Sequence, residues 1–177
     1  IIIQARLGST RYKKKVLKKF FDKPLILNIV KNFTSKEYIS TIVATTNNRI
    51  DNELVKLLKN NRISFFRGSS ENLIKRFYDC STLIKKKYEL DDFKIVRVCA
   101  DNPFLNDSLV KNSLKLLKKN FDYIGYADDM LKGYTIESFW YSSLKKLVNL
   151  KTNKFEKEHI GPGFLNKKKF KTNFLNI

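Results

Sequence analysis

The sequence predicts an α/β protein of three layers, with a mostly parallel sheet between helices. Short runs rich in β-branched and aromatic residues alternate along the chain with amphipathic stretches of helix length. Strands separated by helices in this way are typical of βαβ units, whose strands run parallel. Hydrophobic residues make up 42% of the 177 residues and aromatic residues 13%, which is enough apolar material for a substantial core.

The first part of the chain supplies three strands and two helices. The first strand is apolar except at Gln4, and the second is rich in β-branched residues. Pro24 stands just before the first helix, in a position where proline is tolerated. The predicted strands are residues 1–5, 40–46 and 63–66, and the predicted helices are residues 25–33 and 51–58.

The remaining elements follow the same alternation and then become less regular. A long helix over residues 70–86 has Ser70 as its expected cap. Its inward-facing residues are predicted to be Leu73, Ile74, Phe77, Leu83 and Ile84. The further strands are residues 93–99, 121–126 and, as an outlying strand, 135–141; the further helices are residues 108–118 and 142–148.

Residues 1–177 are predicted to form a single domain, because no internal repeat or linker interrupts the alternation. The sequence starts at Ile1, inside a predicted strand, and stops soon after Leu175, so we expect a domain truncated at both ends. It contains neither a signal peptide pattern nor a run of about 20 apolar residues. Cys80 and Cys99 lack the spacing of a zinc site or a disulfide framework. We therefore expect a cytoplasmic protein without a membrane partner.

The net charge of +19 raises the question of nucleic-acid binding. Lysine dominates the cations and is spread over predicted helix faces, as at Lys56, Lys85 and Lys115, where solvation explains it. No nucleic-acid-binding motif is recognised. We expect no nucleic-acid partner, and a basic nucleic-acid-binding domain is the weakest of three functional hypotheses.

Three loops are predicted to meet at one edge of the sheet. Residues 6–11 follow the first strand, residues 67–69 follow the third, and Asp101 follows the strand 93–99. Ligands of open α/β sheets bind outside the carboxyl ends of the strands. These loops therefore bring cations, small residues and one carboxylate to the expected binding edge.

The first loop has the composition of a phosphate-binding turn. Gly8 and Ser9 lack bulk, so backbone N–H groups there can approach an anion closely. Arg6, Arg11 and Lys15 can neutralise a polyphosphate. The spacing is neither that of a P-loop nor that of a dinucleotide-binding loop. As a bare pattern, an ordinary structural turn explains Gly8 and Ser9 equally well.

Three other polar residues have a functional and a structural interpretation. Asp101 at a strand end can hold Mg²⁺ against nucleotide phosphates, or it can cap a turn. Glu137 lies in an apolar, strand-like context and either enters the site or faces solvent. His159, the single histidine, is by itself more typical of a packed or surface residue.

Seven segments, in chain order, resemble the cytidylyltransferases that activate acidic sugars, above all the branch named for spore-coat polysaccharide synthesis. They are IIIQARLGSTRYKKKVL, IVATTNNRIDNELV, FFRGSSENLIKRFYDC, IVRVCADNPFLNDSLV, FDYIGY, KGYTIESF and EHIGP. They extend over essentially the whole chain, and the first is the most specific.

The resemblance implies a fold like that of the nucleotide-diphospho-sugar transferases, of GT-A type. It also implies a reaction in which a sugar hydroxyl attacks the α-phosphate of CTP, giving a CMP-sugar and pyrophosphate for surface polysaccharide or lipopolysaccharide synthesis. Mg²⁺ is the implied cofactor, CTP and an acidic sugar are the implied partners, and homodimers are common among such enzymes.

The resemblance also implies roles for individual residues. Asp101 matches the Mg²⁺ ligand and, with Lys15 and Arg11, the catalytic set. Glu137 and His159 match positions on the sugar side. The positions that match nucleotide contacts are Arg6, Gly8, Ser9, Arg11, Lys15 and Arg67.

Several positions depart from the family pattern. The family's Leu-Pro-Gly is Tyr12-Lys13-Lys14 here, so either Lys14 or Lys15 reaches the phosphates. Ala100 replaces a glycine and Thr135 replaces an aspartate. A VDTPEDL-like segment with a further carboxylate does not occur in the 177 residues. These departures support a second hypothesis, a catalytically impaired nucleotide-binding relative.

Overall fold

The computed structural model describes residues 1–8, 12–34, 37–127 and 133–175. Its strands are β1 (Ile2–Gln4), β2 (Lys19–Phe20), β3 (Lys23–Pro24), β4 (Ile42–Thr46), β5 (Phe65–Gly68), β6 (Lys94–Cys99), β7 (Tyr123–Tyr126), β8 (Glu137–Trp140) and β9 (Thr172–Leu175). Its helices are α1 (Leu25–Asn32), α2 (Asn52–Asn60), α3 (Leu73–Lys87), α4 (Asp107–Leu116), α5 (Tyr141–Val148), α6 (Lys154–Glu158) and α7 (Ile160–Leu165). Short 3-10 helices lie at Lys15–Leu17 and Arg49–Asp51.

Within these residues, seven strands form one sheet in the order β5-β4-β1-β6-β8-β7-β9, and β2 and β3 form a separate hairpin. Strand β8 runs antiparallel to both of its neighbours, whereas the other pairs of the sheet are parallel. The predicted α/β fold with a mostly parallel sheet is confirmed.

Side-chain alternation divides the core between the two faces of the sheet. Ile3 and Val98 pack with α1, α2 and α4, while Ile2 and Ile95 pack with α3, α5 and α7. We call the second side the α3 face. Near the carboxyl ends of β1 and β6, this face carries polar side chains instead of apolar ones. A functional site can therefore form there without opening the core.

Two predicted elements begin later than expected. The strand predicted at 63–66 is β5, Phe65–Gly68, because the Ile63 N–H donates to the carbonyl of Leu58 and closes the turn after α2. Helix α3 begins at Leu73, and its cap is Asn72 rather than Ser70. The Asn72 side chain accepts a hydrogen bond from the Lys75 N–H.

Two further predictions were wrong. Leu83 does not face inward but is 56% exposed, because the buried stripe of α3 runs through Cys80 and Ile84 instead. The strand predicted as outlying at 135–141 is β8, which lies inside the sheet between β6 and β7. Its first three residues are buried, as an interior strand requires.

In the part of the chain that the structure describes, every helix is too short or too polar to cross a bilayer. Cys80 and Cys99 are free thiols.

Candidate active site

A lysine and an aspartate meet at the carboxyl ends of β1 and β6. Lys15 begins the 3-10 helix that follows the first loop, and Asp101 lies just beyond β6. The Lys15 Nζ donates to Asp101 Oδ2 over 2.6 Å. Both side chains are partly exposed, at 36% and 43%, so this pair lies at the rim of the site and is open to a ligand.

The turn before Lys15 determines which lysine faces Asp101. Lys14 has a left-handed backbone, with φ 54° and ψ 28°, and its carbonyl accepts the Leu17 N–H. Its ammonium group pairs with Glu53 Oε2 at 2.5 Å, on α2. Of the two lysines that the sequence left open, Lys15 is therefore the one placed beside Asp101.

The first loop is anchored by a buried carboxylate. Asp51 is fully buried; its Oδ1 accepts the Leu7 N–H at 2.7 Å, and its Oδ2 accepts both the N–H and the hydroxyl of Thr46. Beyond Leu7, no atom of the described residues, its chain neighbours apart, lies within 4 Å of a Cβ built on Gly8, which leaves room for a ligand at that backbone. Sequence reasoning treated Asp51 only as the start of a helix.

Of the predicted phosphate-binding side chains in the first loop, the structure describes Arg6 only. Arg6 is exposed at the end of β1 and has no ion pair among the described residues. Ser9 and Arg11 lie outside the described residues, and their predicted phosphate contacts stay predictions.

Arg67 lies within β5 rather than in the loop after it. Its Nε donates to the Thr46 carbonyl at 3.0 Å. Its Nη1 donates to Asn52 Oδ1 at 2.8 Å, and its Nη2 to the Asn48 carbonyl at 2.9 Å. The guanidinium thus holds the loop that follows β4. A contact between Arg67 and a nucleotide stays a prediction.

The loop after β6 is held by Asn102. Its Nδ2 donates to both the carbonyl and the hydroxyl oxygen of Thr135, each at 2.8 Å. Thr135, where the family resemblance implies an aspartate, therefore has a structural contact of its own. Ala100 is buried and its φ is not positive. Alanine therefore fits without backbone strain at this position, where the resemblance implies a glycine.

Glu137 lies on the α3 face and is only 4% exposed. Its Oε1 accepts the hydroxyl of Tyr123 at 2.6 Å, and its carboxylate pairs with Arg97 Nη1. The Nε of Arg97 donates to Gln4 Oε1 at 2.9 Å. Burial raises the pKa of Tyr123, which keeps its hydroxyl a donor. A buried polar chain therefore crosses β1, β6, β8 and β7.

His159 lies between α6 and α7, exposed, with its ring 4.9 Å from that of Phe155. Its pKa is lowered from 6.5, first by partial removal from water and then by the charges of Arg97 and Arg6, against the opposing charge of Glu158. His159 is consequently neutral at pH 7.

The Asp101 carboxylate fits a magnesium site in which ligand phosphates and water supply the other oxygens. No cluster of three or more His, Cys, Asp and Glu side chains among the described residues forms a complete metal site. Mg²⁺ in nucleotide enzymes takes one or two protein carboxylates, and phosphate and water oxygens supply its other ligands. The partly exposed carboxylate of Asp101, next to the ammonium group of Lys15, meets that requirement.

Comparison with known proteins adds a family and several relatives. The family model described as cytidylyltransferase matches residues 1–171. An uncharacterised protein of Methanocaldococcus jannaschii is 36% identical over 163 residues, 91% of this chain and 64% of that protein. The spore coat polysaccharide biosynthesis protein SpsF of Bacillus subtilis is 31% identical over 114 residues, 62% of this chain and 45% of SpsF.

A 3-deoxy-manno-octulosonate cytidylyltransferase of Wigglesworthia glossinidia brevipalpis is 33% identical over 124 residues, 67% of this chain and 47% of the enzyme. The chain spans between 45% and 64% of the length of these curated relatives.

Solved structures agree with the fold. A cytidylyltransferase from Leptospira borgpetersenii superposes with a TM-score of 0.85 at 30% identity, over 99% of this chain and 74% of that one. A CMP:2-keto-3-deoxy-manno-octonic acid synthetase, solved in complex with CTP, has a TM-score of 0.70 at 13% identity and covers 99% of this chain and 88% of its own. The second likeness concerns the fold alone.

Proposed function

The chain belongs to the cytidylyltransferase family, and from that membership we propose that the whole protein transfers CMP from CTP to a sugar. A sugar hydroxyl oxygen bonds to the α-phosphorus, and the bond from that phosphorus to the bridging oxygen breaks. Pyrophosphate leaves with the electron pair, and the hydroxyl proton passes to solvent. The observation that carries the proposal is the Lys15–Asp101 pair at the carboxyl ends of β1 and β6.

Phosphoryl transfer depends mainly on positioning and on stabilising charge. The open backbone at Gly8 and the exposed cation of Arg6 bind the triphosphate at the end of β1. Lys15 offsets the negative charge that builds on the leaving phosphates. Asp51 keeps this loop in place through the Leu7 N–H.

We propose Asp101 as the residue that holds Mg²⁺. When bound, Mg²⁺ would neutralise part of the charge on the phosphates. Without nucleotide, Lys15 neutralises Asp101 instead. A phosphate that binds Lys15 therefore frees the Asp101 carboxylate to hold the metal. Nucleotide binding at Lys15 and metal binding at Asp101 are thereby coupled.

We further propose that the sugar is acidic and that its CMP derivative serves surface polysaccharide or lipopolysaccharide synthesis. The support is the similarity to a spore coat polysaccharide biosynthesis protein and to a 3-deoxy-manno-octulosonate cytidylyltransferase. A cytoplasmic location and a homodimer belong to the same proposal.

A pyrophosphate-exchange assay tests the function on the full-length protein with CTP, Mg²⁺ and a panel of sugar acids. We expect sugar-dependent exchange and a rise in melting temperature with CTP. Failure of every sugar acid, together with no thermal shift from CTP, would disprove the proposed reaction.

A further inference from the structure

Three arginines converge on the α3 face at the carboxyl ends of the strands. Arg97 is in β6 and pairs in register with Ile2 of β1 and with Glu137 of β8. Arg6 lies two residues beyond Gln4, on the same side by strand alternation. Arg76 reaches this face from α3, and its Cγ lies 3.0 Å from the position of a Cβ on Gly68.

Among the described residues, Arg97 has partners at two of its three guanidinium nitrogens. Its Nε binds Gln4 and its Nη1 binds Glu137, while no acceptor among the described residues binds Nη2. The side chain is 11% exposed, so this end of the guanidinium is largely shielded from solvent. Because a guanidinium is planar and its donors are fixed, the two contacts also determine where the free edge points.

Glu137 is itself packed into one position. The Tyr123 hydroxyl binds it, and Gly161 of α7 lies so close that a Cβ there would collide with Glu137 Oε1 and lie 2.7 Å from the Tyr123 hydroxyl. The carboxylate therefore has no room to turn towards a substrate. Its role is to position Arg97.

Arg76 is a buried cation with few partners. It is only 2% exposed; its Nη1 donates to the Ser69 carbonyl at 3.0 Å, and its buried Nε has no hydrogen-bond partner. Burial, followed by repulsion from Arg6 and Arg97, lowers its pKa to about 10, against the opposing charge of Asp51. A buried cation without a carboxylate partner is costly unless an anion joins it.

The positive charges of the three arginines outnumber the carboxylates of the described residues that pair with them. Among the described residues, Glu137 is the one carboxylate in an ion pair with any of the three arginines. We propose that Arg76 and Arg97, beside the Arg6 that we place at the triphosphate, form an oxyanion subsite apart from the Lys15–Asp101 pair, and that this subsite binds a carboxylate or phosphate group of a substrate. Arg97 makes the direct contact and Glu137 positions it. This inference rests on the proposed function, which supplies both kinds of anion.

The single histidine of the chain reports on this subsite. The charges of Arg97 and Arg6 contribute to the lowered pKa of His159. An anion bound to the arginines offsets those charges, so the pKa of His159 is expected to rise. NMR titration of the His159 ring proton on the full chain, in buffer free of phosphate, measures this without any turnover.

Two probes distinguish the sources of the anion. CTP without Mg²⁺ presents phosphates, and 3-deoxy-manno-octulosonate presents a carboxylate. We expect the pKa of His159 to rise with at least one of them, and the one that acts identifies the group bound. If the sugar acid is the one that acts, its neutral methyl ester should have no effect.

Arg97→Gln is the decisive variant, because Arg76 is buried and its replacement could prevent folding. It should raise the pKa of His159 without ligand, remove the further rise with ligand and weaken binding of the active probe about tenfold or more. Arg62→Gln is the matched control, since Arg62 is exposed at the amino end of β5. It should change none of these values.

Glu137→Gln tests the positioning role. We expect a higher KM for the substrate whose anion binds at Arg97 and an unchanged KM for the other substrate. A purely structural defect would instead reduce the folded fraction and leave both KM values alone.

Two results would overturn the subsite: no rise in the pKa of His159 with either probe, or a rise that persists in Arg97→Gln. Neither depends on catalysis. Absence of pyrophosphate exchange combined with an Arg97-dependent rise would disprove the proposed reaction and leave the subsite standing.

Discussion

Lys14 and Lys15 are neighbours in the chain, yet their ammonium groups pair with carboxylates on different elements. The left-handed backbone of Lys14 sends its side chain to Glu53 and leaves Lys15 beside Asp101. Both ion pairs are exposed, so each contributes little to stability. They differ in position, since only the second lies where two parallel strands end.

These two pairs provide a matched test of catalysis. Asp101→Asn should reduce Mg²⁺-dependent turnover at least about a hundredfold, because it removes the carboxylate that we propose holds the metal. Glu53→Gln should leave turnover unchanged, and both variants should unfold within about 1 kcal/mol of the parent. Steady-state assays and urea unfolding measure the two quantities. CTP binding without turnover in the parent, unaffected by Asp101→Asn, would favour the impaired nucleotide-binding relative.

Gly161 is another residue whose contacts predict a measurable effect. Gly161→Ala places a methyl group against Glu137 and Tyr123, and we expect a loss of about 1–3 kcal/mol in the free energy of unfolding. Gly8→Ala is the control for stability, because a Cβ there meets nothing within 4 Å. Equal stabilities of the two variants in denaturant unfolding would contradict this packing.

At the residue scale, sequence reasoning identified side chains that directly follow a strand. Asp101 was singled out because a carboxylate at a strand end can hold Mg²⁺, although from the sequence it can equally cap a turn. Arg97 was not, because a charged residue inside a strand reveals neither its face nor its partner. Its significance depends on Glu137, which a long stretch of chain separates from it. Asp51 was missed for a similar reason, since helix starts commonly carry aspartate.

Among the elements, helix α6 is a short segment that local hydrogen bonds stabilise. Asn153 and Glu156 form a reciprocal capping box, with hydrogen bonds of 2.9 and 3.0 Å. Glu156 is 3% exposed and also contacts Lys167. Burial opposes its charge, but the Asn153 N–H, Lys167 and Asn166 outweigh burial and lower its pKa below 4.5.

This carboxylate makes stability depend on pH. Because the folded pKa of Glu156 lies below its ordinary value of 4.5, its contribution is complete above that value and is lost as the pH falls through the folded pKa. Glu156→Gln should therefore cost about 1–2 kcal/mol at pH 7 and progressively less as the pH falls below 4.5. Glu158→Gln, an exposed neighbour, should cost little at either pH. A Glu156→Gln deficit that is constant with pH in urea unfolding would contradict the assignment.

Periodicity predicted most elements but not how strands pair. The strand at 135–141 was recognised from its composition and then misplaced, because pairing is decided by distant backbone groups. Helix α6 and strand β9 were missed, since they are short and their apolar residues follow no clear period. The boundaries of β5 and α3 shifted because of a turn at Ile63 and a cap at Asn72.

For the molecule as a whole, the excess of cations is a surface property that the fold does not gather into one motif. Several lysines already have carboxylate partners: Lys14, Lys15, Lys75, Lys111 and Lys167. The order of the layers followed from alternation of strands and helices, which is why the fold class was predictable. The assembled site was less predictable than the fold class, because it joins residues from distant segments of the chain.

The charge leads to a prediction about nucleic acid. Because scattered lysines make only nonspecific phosphate contacts, binding to duplex DNA should weaken steeply with salt and vanish near about 150 mM. Fluorescence anisotropy of a labelled duplex over a salt series measures this. Tight binding that survives physiological salt would instead support a nucleic-acid-binding function.

The reversed strand β8 has a consequence for how the protein is made. Lys15 and Asp101 belong to segments that leave the ribosome early, and β1 and β6 can pair as soon as β6 has emerged. Arg97 emerges at the same time, but Glu137 follows only after α4 and β7 have been synthesised. Until β8 inserts between β6 and β7, Arg97 has its contact with Gln4 but lacks its carboxylate partner, Glu137. The two ends of the site thus mature at different moments of translation, and the arginine end is completed last.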